Sequence, residues 1–181
     1  MWWRIKTEET EKVKTVVGKI MSGRIVNPSY NDDSSKKADY NRWIQVQSSF
    51  PNMSNVHYEL IWDDGKLYWE LHIEPQNVAD HYKYSRIARY IQDSTKDDSS
   101  LVWYNDGPAY KVRYNCIINS DDSLEKGLML LYDKYDKLLE DCAKRFKPTD
   151  LTLPYKNPSE FKKFDDEEEV CLKTMSLKDL F

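Results

Sequence analysis

Residues 56–74 hold two runs in which apolar and polar positions alternate, and Asp64-Gly65 lies between them. A period of two marks half-buried strands, and Asp-Gly is a strong cue for a two-residue hairpin turn. Such a turn fixes the cross-strand pairs. One face pairs Trp62 with Leu67, Leu60 with Trp69, Tyr58 with Leu71 and Val56 with Ile73, and is expected to be core. The other pairs Asp63 with Lys66, Ile61 with Tyr68, Glu59 with Glu70 and His57 with His72.

Elsewhere the period changes to that of a helix. Val13, Val16, Val17 and Ile20 fall at i, i+3, i+4 and i+7, behind Glu8, Glu9 and Glu11 and ahead of Gly23. Acids at the start and a glycine past the end suit a helix and its dipole. A second helix is predicted over 77–92, with Tyr84, Ile87, Ala88 and Ile91 as its stripe. A third is predicted over 123–146, opened by an Asp122/Glu125 capping box and closed by Pro148. Its stripe is Leu124, Leu128, Leu131, Tyr135, Leu138, Leu139 and Cys142. Strands are expected at 41–48, 101–104 and 109–118. In the last of these Tyr110, Val112, Tyr114, Cys116 and Ile118 share a face. Residues 27–39 and 94–100 read as loops, and Asn105-Asp106-Gly107-Pro108 as a turn.

The order is α-β-β-β-α-β-β-α. The expected class is α+β, an antiparallel sheet of about five strands packed against helices. Residues 1–147 make one domain. Residues 148–181 make an acidic, largely irregular tail with Pro148, Pro154, Pro158, the run 165–169 and an apolar end.

The chain has 181 residues, enough for one domain with a real core. Its 13 tyrosines and 6 tryptophans raise the expectation of sheet and of an interface. A net charge of −4 argues against nucleic-acid binding by the whole surface, though not by a local basic patch. Cys116, Cys142 and Cys171 are odd in number, widely spaced and without a CxxC, which suits reduced thiols in a cytoplasm. Neither a signal peptide nor a membrane-spanning run is expected.

Glu59 opposite Glu70 needs a reason, because like charges directly across a ladder are destabilising. A solvated face with a Lys or Arg from a neighbouring strand between the acids is one reason. A divalent metal held by His57, Glu59, Glu70 and His72 is another, since imidazole and carboxylate are good transition-metal ligands. An acid–base site is a third. A three-residue turn would instead scramble the pairs. His81, on the stripe of the second helix, reads as a hydrogen-bonded boundary residue. The element order also matches the core of PD-(D/E)xK nucleases, whose acids hold Mg²⁺. In that reading Glu59, Glu70 and His72 are catalytic, with His72 where the family has lysine and no PD dipeptide ahead.

The stretch from Trp43 to Phe146 resembles a bacterial domain of unknown function, DUF4268. The likeness runs through Trp43-Ile44, His57-Tyr58-Glu59-Leu60, Asp64-Gly65 and Trp69-Glu70-Leu71-His72-Ile73-Glu74. It continues through Leu101-Val102-Trp103, Lys111-Val112-Arg113 and a closing helix ending at Phe146. Members of that family often sit beside nuclease and restriction-type proteins, so the resemblance implies a setting of DNA processing or defence, in a bacterium or phage.

Lys83, Arg86 and Arg89 on the second helix, with Lys111 and Arg113 on a strand, are candidate phosphate contacts. Leu177, Leu180 and Phe181 at the end of the tail are candidate anchors for a protein partner, and the same end reads equally as a short amphipathic helix docked on its own domain. The first expectation is therefore a non-catalytic interaction or accessory protein, its partner a nuclease or other nucleic-acid-processing complex. The alternatives are a metal-dependent nuclease and a nucleic-acid-binding module. No cofactor is expected unless the hairpin face holds a divalent metal.

Overall fold

The chain runs through β1 (Ile5–Lys6), α1 (Thr7–Ile20), β2 (Val26–Tyr30), β3 (Tyr40–Gln47), β4 (Val56–Asp63) and β5 (Lys66–Ile73). It continues with α2 (Val78–Asp93), β6 (Leu101–Asp106), β7 (Ala109–Tyr114) and α3 (Asp121–Arg145). These elements come from a computed structural model that describes residues 5–30, 40–76 and 78–145. The tail beyond Arg145 lies outside the described residues, and so do Leu177, Leu180 and Phe181.

Asp64 and Gly65 both hold positive φ, 45° and 78°. That is the backbone a type I′ turn requires, and its twist matches the strands it joins. All eight cross-strand pairs from Val56↔Ile73 to Asp63↔Lys66 follow from it as the sequence predicts.

Around this hairpin the sheet is antiparallel in every pairing. It has seven strands: six lie along the path β1-β3-β4-β5-β7-β6, and β2 pairs with β3. The class is α+β, as expected. One face carries the core. Ile44, Val46, Tyr58, Leu60, Trp69, Leu71, Ile73 and Val112 pack there against Val13 and Val17 of α1, Ile87 and Ile91 of α2, and Leu128, Leu131 and Tyr135 of α3. Asp136 of α3 locks this layer. It accepts hydrogen bonds from Tyr58 Oη (3.1 Å), Ser49 N (2.8 Å) and Arg24 (3.1 Å).

The structure differs from the sequence reading in several places, among them Asn105 and Asp106, read as turn, which belong to β6. Residues 27–30, read as loop, belong to β2. Pro28 and the polar residues around it hide an edge strand, the place where a sheet tolerates proline. The two-residue β1 was not expected. β7 stops at Tyr114 rather than 118, because Cys116 N turns back to Tyr114 O and Asn115 N donates to Ser100 O. Cys116 is therefore exposed, and Ile118 rejoins the sheet only through a bridge to Leu67. The cap of α3 lies two residues earlier than Asp122. Ser120 and Ser123 exchange backbone N–H to side-chain oxygen bonds of 3.0 and 3.1 Å, a capping box with serine in the usual place of glutamate.

Candidate metal centre

Strand alternation sends every second residue of β3, β4, β5 and β7 to the face opposite the helices. Two polar rungs cross the sheet there. One is Gln45, Glu59, Glu70 and Arg113; the other is Gln47, His57, His72, Lys111 and Tyr104. The expected solvated face is not what forms. His57 and Glu70 have no exposed surface, His72 has 2% and Glu59 7%. Long side chains from the flanking strands surround the cluster, and Arg113 lies over the Tyr68 ring, 4.4 Å from its centroid. A cation from a neighbouring strand pairs with one of the two acids rather than lying between them: Arg113 Nε donates to Glu70 Oε1 at 2.6 Å.

Each histidine is oriented by a defined partner. His57 Nδ1 is 2.8 Å from the Met53 carbonyl, which can only accept, so Nδ1 carries the proton. The lone pair of a neutral ring is then on Nε2, which faces Glu59 Oε2 at 3.2 Å. A lone pair and a carboxylate oxygen meeting at that distance need a hydrogen-bond donor or a cation between them. The Gln45 amide reaches both atoms, at 3.3 Å each.

His72 lies between Glu70 Oε2 on Nε2 (2.8 Å) and Glu74 Oε1 on Nδ1 (3.0 Å), with Glu59 Oε1 3.8 Å from Nδ1. Burial pulls the His72 pKa down. The hydrogen bonds to Glu70 and Glu74 and the charge of Glu59 outweigh it and raise the pKa to about 9. Burial likewise pushes the Glu70 carboxyl up, but His72, Tyr104 and Arg113 together hold it below the ordinary carboxylate value. Tyr104 Oη donates to Glu70 Oε1 at 2.6 Å, so both Glu70 oxygens are engaged.

His57, Glu59 and His72 each offer an atom that lies within 4.8 Å of the other two. The hairpin turn brings them together as the sequence predicts, and it places Glu70 beside them in a different role. Glu70 orients His72 through Nε2, while Nδ1 hydrogen-bonds Glu74 and has Glu59 as its next carboxylate neighbour. A ring nitrogen held by a carboxylate or a carbonyl while the other faces the ion is the usual setting of a metal-ligating histidine.

Sequence reasoning missed Glu74, Gln45 and Tyr104. Glu74 was within reach: with Glu70 and His72 it completes an i, i+2, i+4 set on one strand face. Gln45 and Tyr104 depend on strand registers that no hairpin turn announces.

The basic residues do not form one surface. Lys83 is buried, its ammonium 5.6 Å from the Phe50 ring centroid and 5.4 Å from that of Tyr84. Arg86 and Arg89 are half-buried on α2, on the helix side of the sheet. Lys111 and Arg113 are on the other side. There Lys111 pairs with Asp106 at 2.8 Å, and Arg113 with Asp63 and Glu70. The side chain of His81 lies outside the described residues. Among the described residues, no helix is long and apolar enough to cross a membrane.

No family model, curated protein or solved structure matches the chain, so its function is read from this geometry.

Proposed function

We propose that this chain is a non-catalytic accessory protein built around a divalent transition-metal site, with His57, Glu59 and His72 as ligands. The observation that carries the reading is the convergence of these three side chains, with both histidines already oriented by Met53 O and Glu70. Two imidazoles and a carboxylate favour zinc, manganese, iron or cobalt over magnesium or calcium, which prefer all-oxygen shells.

Burial favours binding over turnover. With His57, Glu70 and His72 almost wholly covered, a polymeric substrate has little surface from which to reach an ion. The nuclease alternative asks both acids to hold one ion, yet Glu70 already serves Arg113, Tyr104 and His72. The nucleic-acid-binding alternative asks for free cations, and Lys111 and Arg113 are neutralised by neighbouring acids. The resemblance of residues 43–146 adds the setting, a partner in DNA processing or defence.

Calorimetry with Zn²⁺, Mn²⁺ and Mg²⁺ tests the reading on the wild type and on Glu59→Gln. One saturable site for Zn²⁺ or Mn²⁺, weakened about 100-fold or more in the variant, with no Mg²⁺ binding, is the expected result. A wild type that binds none of the three sinks the proposal. DNA cleavage by the metal-loaded protein would move the assignment to the nuclease alternative.

A further inference from the structure

His57 Nε2 and Glu59 Oε2 are 3.2 Å apart, and the Gln45 side-chain nitrogen lies 3.3 Å from each, so the three atoms form a nearly equilateral triangle. His57 Nδ1 donates to the Met53 carbonyl, which leaves Nε2 able only to accept, and an ionised Glu59 also only accepts. The atom that faces both must therefore be a donor. That sets the Gln45 amide with its nitrogen, not its oxygen, toward the pair.

The unprotonated nitrogen of a neutral imidazole has one lone pair. While Gln45 donates to it, His57 cannot ligate an ion. When an ion takes that lone pair, the amide must leave. The fold gives it somewhere to go. Gln45 is half-buried on β3, paired with Glu59 of β4 on one side and with exposed Asn27 of β2 on the other. The way out from the pair leads past Asn27 to water.

Resting on the metal reading, we propose that Gln45 caps the metal-free site and that the ion takes its place. Gln45 is then a positioning residue that sets the metal affinity from the metal-free side. It satisfies the buried lone pair and the carboxylate, and a buried acceptor left unsatisfied is costly. Removing the amide raises the free energy of the metal-free state and leaves the three ligands in place. Binding then strengthens while the metal-free fold weakens. A side chain with a purely structural role would weaken both.

Gln45→Leu removes the donor at nearly constant volume, and Gln45→Ala repeats the test with a smaller side chain. In the full-length chain, with the fold checked by circular dichroism, both are expected to bind Zn²⁺ about tenfold more tightly than wild type by calorimetry, the scale of one hydrogen bond to a charged group. Both are expected to melt below wild type when a chelator is present. In the wild type the Gln45 side-chain amide signals, assigned by through-bond NMR, are expected to shift and to exchange faster with water once Zn²⁺ is added. Equal or weaker Zn²⁺ binding by a folded variant, or amide signals that Zn²⁺ leaves unchanged, overturns the cap and leaves the three-ligand site standing. Failure of the wild type to bind Zn²⁺ at all overturns both readings together.

Discussion

Both ring nitrogens of His72 meet a carboxylate inside a sheet that excludes water, and that one residue gives the metal-free protein a defined pH response. Its folded pKa of about 9 lies above the ordinary histidine value of 6.5. The imidazolium therefore stabilises the fold fully below about pH 6.5, and the contribution is lost as the pH rises through about 9. Glu70 and Glu74 shift the opposite way. Burial raises both, but His72 and the other cluster members hold both below 4.5, so their contribution is lost in acid. With a chelator present, the melting temperature should fall between pH 7 and 9.5 in the wild type. In His72→Gln that alkaline slope should be absent. An equal slope in both proteins would show that some other group sets the response. Gln45, Glu59, Arg113 and His57 all face this residue or its partners, so the comparison of slopes, rather than of absolute stabilities, is the informative one.

Between elements, the tightest constraint is the contact of α3 with β5. Trp69 is fully buried and donates its Nε1 hydrogen to Leu124 O at 2.9 Å, which pins the indole against the first turns of α3. A Cβ on Gly127 would lie 2.8 Å from Trp69 Cδ1 and 3.4 Å from Tyr114 Cδ1. Alanine at an ordinary helix position gains about 1 kcal/mol over glycine. Here the ring has no room to yield, and overpacking of this kind costs about 1–3 kcal/mol. Gly127→Ala should therefore lower the urea midpoint, where helix propensity alone would raise it; a raised midpoint would mean that α3 shifts freely on the sheet. The same contrast between local rule and packing decides what the sequence revealed of the elements. β4 and β5 were legible to the residue, because a two-residue turn at Asp64-Gly65 allows one register. The apolar stripes of α1, α2 and α3 were legible through their period. β2 was not, because Val26–Tyr30 carries no alternation and a proline, and it is strand only through pairing with β3. The Ser120 cap was missed because Asp122 and Glu125 match the expected spacing better than Ser120 and Ser123 do.

For the molecule as a whole, the question is what a buried ionic face contributes to a fold whose apolar core lies on the other side of one sheet. His57, Glu59, Glu70 and His72 were visible in the sequence as a group. Their burial was not, because it depends on Gln45 arriving from β3 and on Tyr104 and Arg113 arriving from strands placed by the α2 crossover. In the metal-free state the face holds Glu59, Glu70 and Glu74 against His72, Arg113 and Lys111, and desolvation offsets much of the attraction among them. An ion bound only by the folded sheet changes that balance through mass action. At free metal 100-fold above its Kd, it stabilises the fold by about 2.7 kcal/mol. For a chain of this length that corresponds to a rise of roughly 5–10 °C in melting temperature. Zn²⁺ or Mn²⁺ should therefore raise the wild-type melting temperature in a concentration-dependent way, and a chelator should reverse it. Glu59→Gln should show no such rise, while Lys12→Ala, which removes an exposed pair to Asp121 between α1 and α3, should keep it in full. Equal rises in wild type and Glu59→Gln would place the ion somewhere other than the hairpin face. No rise in the wild type would mean that the rungs of the sheet are complete without an ion, with Arg113 and His72 alone balancing the acids.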